Sequence, residues 1–386
     1  MTSFTSMKST ASQLTSSTFS STFSYAICAK ATAFVFSLAC LVGVLTGCGG
    51  SSETTEAPAQ SAPAKAVAIN PAAAASFATK VGEIYKAAEA EKKTTVEGKD
   101  GVLFSPNELR FLSVGEFWGE KAKETSRAEK EEYRDPLPAL VAFSTDLKAK
   151  GIHFILAPVP PKAAVNPGAI VDGASGRIDA ALQTFYSELR NQGVEVLDLT
   201  DEYIQLNQRE AMHLKTDTHW SPAGMEFAAD KIAYAIKSQT GFQVGNTTYT
   251  AEPVTLDITG DLLPEGSTKK ETITVNKVTQ DGKPVTSDDT SPVLLMGDSH
   301  TLVYSQNDLL CSDAGLMQQL ALRLGMPIER IGMKGSASYS VRREFISRAR
   351  KEPDYLAAKK VVVYLFTARE FTESFNGWRS LALEKK

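Results

Sequence analysis

Cysteine and histidine are both scarce in this 386-residue chain, four of each. Cys28, Cys40 and Cys48 fall near the N-terminus, which leaves Cys311 alone in the body. That excludes a disulfide framework, and the lack of a CxxC pair removes the usual thiolate metal or redox site. Long basic runs are also missing; with a net charge of −4, nucleic acid is not an expected partner. Nothing resembles a nucleotide-cofactor site, so no cofactor is expected. The apolar run "ATAFVFSLACLVGVL", Ala31–Leu45, is too short to span a bilayer comfortably. What remains is an ordinary globular composition, 42% hydrophobic, long enough for one large domain or two modest ones.

That apolar run has the length of a signal-peptide core. It follows thirty residues rich in Ser and Thr whose only cations are Lys8 and Lys30, and it leads into "LTGC", ending at Cys48. This resembles the lipobox of bacterial lipoproteins, in which the cysteine becomes the lipidated first residue after cleavage. Residues 1–47 are therefore expected to be a lipoprotein signal peptide. Residues 48–74, beginning "CGGSSETTEAPAQSAPAK", read as a flexible tether. The chain would then work on the periplasmic face of the envelope, anchored by lipid. Gly49 after Cys48, in place of Asp, favours the outer membrane.

From about Ala75 the pattern is that of an α/β body running to residue 386. "SFATKVGEIYKAAEAEKK" reads as an amphipathic helix with Phe77, Val81, Ile84, Tyr85 and Ala88 on one face. "KDGVLFSPNELRFL" reads as a turn and short strand. Two helix–Gly–strand units follow, "PLPALVAFSTDLKAKG" with "HFILAPVP", and "IDAALQTFYSELRNQG" with "VEVLDL". Ser221 and Pro222 suit the N-cap and first position of a helix expected to run to Gly241. Strands "PVLLMGD", "IERIGMK" and "KKVVVYLFTAR" alternate with helices "GLMQQLALRLG" and "YSVRREFISRARK". This alternation implies a mostly parallel sheet covered on both faces. Residues 242–290, rich in Thr and turns, break the rhythm. They read as a β-rich insertion over the C-terminal edge of the sheet, with Asp281-Gly282 as a hairpin tip.

In parallel α/β folds functional groups collect at the carboxyl ends of strands. "GDSH" at 297–300 lies at such an end. The glycine permits a tight turn, and Ser299 then projects near backbone N–H groups suited to an oxyanion. A serine hydroxyl needs a base to take its proton, and the base needs an acid to hold its tautomer. Asp217 and His219, in "HLKTDTHWSP", supply both, because residues two apart in an extended or turning segment point the same way. Other readings stay open. His213, Asp217 and His219 have ligand chemistry for a metal, although none is favoured. A metallophosphatase series would need a later acid and an Asn-His pair, and no histidine follows His300. His300 competes with His219 as the base, and His153 reads as a core residue.

Five stretches carry a resemblance. "GKDGVLFSPNELRFL", "APVPPK", "TDTHWSPAGMEFAADKIA", "LLMGDSHT" and "KKVVVYLFTAREF" are similar to successive blocks of the alginate O-acetyltransferase family, over roughly residues 75–378. The resemblance implies a topologically permuted SGNH-hydrolase-like domain. It implies an acetyl group carried on Ser299, with His219 as base and Asp217 as acid. It implies a glycan acceptor, an exopolysaccharide or other envelope polymer. An exported domain cannot draw on cytoplasmic acetyl-CoA, so acetyl groups would arrive from a membrane-bound partner or an acetylated donor. Rivals are a carbohydrate acetylesterase with the same three residues, and a non-catalytic scaffold binding glycan or partner proteins. Val102 stands where relatives have Trp, and the usual oxyanion Asn has no counterpart. Gly335 is a candidate donor in its stead, with Trp220, Tyr304 and Arg343 as candidate pocket residues.

Overall fold

Alternation within the strands decides how the core is divided. His153–Val159 (β3), Val293–Gly297 (β8) and Val361–Thr367 (β10) are almost wholly buried. Successive side chains on a strand face opposite ways. Ile155, Ala157, Leu295, Val363 and Leu365 therefore enter one hydrophobic cluster, while Phe154, Leu156, Leu294, Met296, Tyr364 and Phe366 enter another. Each face then needs its own layer of helices.

The computed structural model describes residues 66–383, all within one compact unit, Ser61–Lys386. Two short strands come first, Val96–Glu97 (β1) and Leu103–Phe104 (β2), paired antiparallel. The main sheet adds Glu195–Val196 (β4) and Glu329–Gly332 (β9), and its five strands lie in the order β4-β3-β10-β8-β9. Every pairing is parallel. This is the parallel α/β sheet expected, with helices on both faces.

The principal helices are Pro71–Ala90 (α1), Pro106–Ser113 (α2), Pro136–Ala149 (α3), Ala180–Asn191 (α4), Thr200–Leu206 (α5), Pro222–Lys237 (α6), Leu316–Leu324 (α7) and Arg342–Lys351 (α8). Residues of α6 and α7 cover one face of the sheet; residues of α3, α4 and α8 cover the other. Helix α1 begins before the expected Ala75, with Asn70 accepting from the N–H groups of Ala72 and Ala73. Helix α2 lies where a turn and strand were expected to fill the segment. Pro106 opens it in the first-turn position that proline favours. Helix α6 is capped by Ser221 as expected, but it stops at Lys237, short of Gly241.

The insertion forms a separate antiparallel sheet of Thr250–Ile258 (β5), Glu271–Gln280 (β6) and Lys283–Pro284 (β7). Asp281 and Gly282 both have positive φ, 49° and 72°, as the tip of a type I′ hairpin requires. The sheet rests on helices and not on the strand ends. Asn276 donates to Glu226 of α6 at 2.9 Å, and Gln319 of α7 donates to the Asn276 carbonyl at 2.8 Å. The β5–β6 connection and Glu271 at the start of β6 reach the 213–220 loop. The expected signal peptide, Cys48 and most of the expected tether lie outside the described residues.

Gly297 is required by close approach. A Cβ there would sit 1.6 Å from the Leu365 carbonyl oxygen of the adjacent strand. Gly297→Ala is expected to destabilise the domain by about 3 kcal/mol or more, or to prevent folding, because the backbone itself must move. Thermal unfolding checks this; an unchanged melting temperature would contradict the packing described.

Candidate active site

The segment 213–220 closes on itself before it presents anything. His213 and Trp220 form an isolated antiparallel bridge, and Leu214 N–H donates to the His219 carbonyl at 3.2 Å. Gly224, in the first turn of α6, lies against Met212, where a Cβ would come 2.2 Å from the carbonyl oxygen. The β5–β6 connection and the first residue of β6 hold the opposite side. Glu271 accepts from the N–H groups of Lys215 (2.9 Å) and Thr216 (3.0 Å) and from the Thr216 hydroxyl. Asp261 accepts from the Thr218 N–H at 2.7 Å and the Thr218 hydroxyl at 2.6 Å. Gly260 passes so close to Thr216 that a Cβ would lie 2.0 Å from its carbonyl oxygen.

Within this frame Asp217 is buried and saturated. Oδ1 accepts from the His219 N–H at 2.9 Å and faces His219 Nδ1 at 2.6 Å; Oδ2 accepts from the Asp261 N–H at 2.9 Å. Burial pushes the carboxyl upward, but His219 and these two backbone N–H groups outweigh it and hold Asp217 below the ordinary carboxylate value. His219 then points Nε2 at Ser299 Oγ, 2.8 Å away. The structure thus brings together Asp217, His219 and Ser299 from segments far apart in sequence.

Ser299 stands at the end of β8, half-buried, at the start of a single 3-10 turn, Ser299–Thr301. Asp298 anchors that turn. Its Oδ1 accepts from the His300 N–H at 2.9 Å, and its Oδ2 accepts from the Thr367 N–H at 2.8 Å, joining the ends of β8 and β10. His300 is buried, with its Nδ1 3.2 Å from Asp298 Oδ1 and its ring packed on His219 (4.8 Å) and Trp220 (5.3 Å). Burial lowers its pKa despite Asp298, so it is neutral. The ring that meets Ser299 Oγ is that of His219, not His300. His213 is held apart: Nε2 is 2.9 Å from the Pro160 carbonyl oxygen, and burial lowers its pKa to about 3. Far from the site, His153 pairs with Glu195 at 2.8 Å, partly exposed at the start of β3 and not enclosed in the core.

The remaining candidates divide differently from expectation. Trp220 and Tyr304 are 0% exposed. The Tyr304 hydroxyl donates to the Trp220 carbonyl at 2.9 Å, so the two support the 213–220 loop from within the core. Arg343 is exposed on α8 beside a cavity of 320 Å³ that also involves Ser347 and Arg350 and includes none of Asp217, His219 and Ser299. Gly335 is exposed, with φ 62°, on the loop after β9, where the Met333 N–H donates to the Gly297 carbonyl at 3.0 Å. Val102 is half-buried beside Leu103, whose N–H donates to the Lys215 carbonyl at 2.7 Å. Sequence reasoning missed Asp261, Glu271 and Lys162, the last with Nζ 2.6 Å from the Asp217 carbonyl oxygen. The "APVPPK" block contained Lys162, yet its spacing gave no sign of where the amine would point.

Asp217, His219 and Asp261 offer ligand atoms within 4.8 Å of one another. Both Asp217 oxygens are already engaged by N–H groups, and His219 Nδ1 faces one of them. A cation there would compete with the hydrogen-bond chain instead of completing it.

The family model described as an SGNH hydrolase-like domain, acetyltransferase AlgX, matches residues 95–362. The probable alginate O-acetylase AlgJ of Pseudomonas aeruginosa is 28% identical over 143 residues, 37% of this chain and 33% of its own length. Its Pseudomonas putida counterpart is 27% identical over 226 residues, 53% of this chain and 56% of its own. The matches thus span between a third and just over half of these relatives. In fold, the chain is similar to the O-acetyltransferase domain of Pseudomonas putida AlgJ (TM-score 0.55, 22% identity, 72% of this chain and 92% of that one). It is also similar to Pseudomonas aeruginosa AlgX (TM-score 0.54, 18% identity, 80% and 69%). With a family model covering most of the folded body, the chain belongs to the family of SGNH hydrolase-like acetyltransferase domains of the AlgX type.

Proposed function

We propose that this protein is an O-acetyltransferase that acetylates an exopolysaccharide or other envelope glycan through an acetyl-serine intermediate. The observation that carries the reading is the unbroken chain from Asp217 Oδ1 to His219 (2.6 Å) to Ser299 Oγ (2.8 Å). These separations are within reach for proton transfer. As Ser299 Oγ attacks the carbonyl of an acetyl donor, His219 Nε2 takes the hydroxyl proton, and Asp217 stabilises the imidazolium. The tetrahedral oxyanion is met in this reading by the Ser299 backbone N–H, since those of His300 and Thr301 are taken by Asp298. Collapse expels the donor's leaving group with the proton from His219 and leaves acetyl on Ser299. A glycan hydroxyl then repeats the sequence in reverse: His219 deprotonates it, it attacks the acetyl carbonyl, and Ser299 is restored.

The acetyl group comes in this reading from a membrane-bound partner, since an exported domain has no access to cytoplasmic thioesters. Lipidation of Cys48 holds the domain on the periplasmic face, with the outer membrane as its residence. Labelling cells with a fatty-acid probe should mark the protein and Cys48→Ala should remove the label; a label that persists rejects the anchor.

Ser299→Ala and His219→Ala are each expected to lower turnover on the order of 10⁴–10⁶-fold, and Asp217→Ala somewhat less, because it orients and stabilises without touching the substrate. Losses within one unit do not add, so the Ser299→Ala/His219→Ala pair should match the worse single variant. Incubation with an acetyl ester, with and without glycan acceptor, distinguishes transfer from hydrolysis by following acetylated glycan and free acetate. An added acetyl mass on the Ser299 peptide, absent in Ser299→Ala, is the direct readout; near-normal transfer by Ser299→Ala would reject the proposal.

Exhaustive chelation should leave the rate unchanged. A loss that Zn²⁺ or Mn²⁺ restores would transfer the Asp217, His219 and Asp261 group from proton chemistry to metal binding.

A further inference from the structure

Lys162 is only 4% exposed, in the short helical turn after β3, yet it does not sit against a surface carboxylate. Its ammonium is directed at main-chain carbonyls: Asp217 at 2.6 Å, Leu103 at 2.8 Å and Lys215 at 3.5 Å, with the Phe104 ring 5.8 Å away. An ammonium has three donors and no acceptor, and here three carbonyl oxygens surround it. Burying a charge against neutral acceptors costs several kcal/mol where an apolar side chain of similar volume would not. The arrangement therefore asks for a role that packing alone does not require.

We propose that Lys162 is a positioning residue for the Asp217–His219 pair, its ammonium pinning the backbone of the 213–220 loop to β2 at Leu103. The inference rests on the reading of Asp217, His219 and Ser299 given above. One atom ties the acid's own carbonyl to a strand outside the loop, and the Leu103 N–H returns a second tie to the Lys215 carbonyl at 2.7 Å. The pin exists only in the charged form. A neutral amine keeps two donors and turns a lone pair toward one of three carbonyl oxygens, which it then repels.

The groups facing Lys162 support this dependence. Burial lowers its pKa to about 8, opposed by Glu108 on α2, by Asp217, and by Glu271 and Asp261 from the insertion. Glu108 is itself fixed, accepting from the Ala163 N–H at 2.9 Å. His213, the remaining titratable neighbour, is kept neutral by burial and then by Lys162. Because the folded value lies below the 10.5 of a free lysine, the unfolded chain binds the proton more tightly, and this group's contribution to stability rises with pH between those values. A structural lysine would thus give no loss of folding in that window, while a positioning lysine gives a loss of rate.

The test uses the full chain in detergent, hydrolysing an acetyl ester from about pH 6 to about pH 10, with melting temperature measured alongside. The wild-type kcat should fall above about pH 8 without a matching fall in melting temperature. Lys162→Met should lower kcat about 10–100-fold near neutrality, as a small displacement of a reacting group does, with KM unchanged and the alkaline limb gone. Wild-type kcat in that variant, or an alkaline limb that persists, overturns the proposal. Should Lys162→Met not fold, deuterium uptake by the 213–220 peptide of the wild type, corrected for intrinsic exchange, decides. Uptake should increase between about pH 7 and about pH 9.5, and no increase overturns the proposal. Ser299→Ala separates the two failures: residual turnover there rejects the triad, while a dead Ser299→Ala beside an unaffected Lys162→Met rejects only the pin.

Discussion

A buried Asp217 carboxylate is the constraint around which this site is built. Removing a carboxylate from water costs several kcal/mol, and hydrogen bonds to a charged group return about 1.5–3 kcal/mol each. Three N–H donors are aimed at it: the His219 backbone, His219 Nδ1 and the Asp261 backbone. The third comes from the β-rich insertion, which makes that segment part of the candidate site. Gly260 allows the approach, and Glu271 gathers the N–H groups of Lys215 and Thr216 that the tight loop leaves without main-chain partners. The insertion is thus fixed to α6 and α7 at one end and to the acid at the other.

Sheet topology supplies the second half of the site. Strand β10 is last in the chain but lies between β3 and β8, so three carboxyl ends from distant parts of the sequence are neighbours. Lys162 follows β3, Asp298 and Ser299 follow β8, and Thr367 closes β10 with its N–H on Asp298. In open α/β sheets such a reversal of strand order is where a crevice forms. Here it allows a buried carboxylate to fasten two strand ends together, leaving the serine beside it half-exposed and facing a base from another loop.

Much of this was legible because local signals agreed with the global fold. The helix–Gly–strand units, the Ser221-Pro222 start of α6 and the Asp281-Gly282 tip each rest on a backbone preference that tertiary packing had no reason to override. Asp217, His219 and Ser299 could be singled out because spacing and strand ends limit where such groups lie. Trp220 and Tyr304 could not be placed the same way. An aromatic inside a polar motif suggests a pocket wall, but both rings have the bulk to fill the core under the loop, and burial decided. Lys162, Glu271 and Asp261 were hidden for another reason: each acts on backbone atoms more than 40 positions away, and no periodicity encodes such a pairing.

The two histidines of the site show how little the local motif itself decides. Asp217-Thr218-His219 and Asp298-Ser299-His300 make the same small structure, an aspartate Oδ1 accepting from the N–H two residues on and facing that residue's Nδ1. Their rings even pack together, 4.8 Å apart. The difference lies in what the far nitrogen meets and how tight the near one is. His219 is 2.6 Å from its acid and aims Nε2 at the Ser299 hydroxyl; His300 is 3.2 Å from its own and stands edge-on to the buried Trp220. A cation on His300 would repel the imidazolium that His219 becomes in the proposed acyl transfer, and burial lowers the His300 pKa. One Asp-x-His unit is thus placed to move a proton, and the other holds the serine's turn without adding a positive charge beside it.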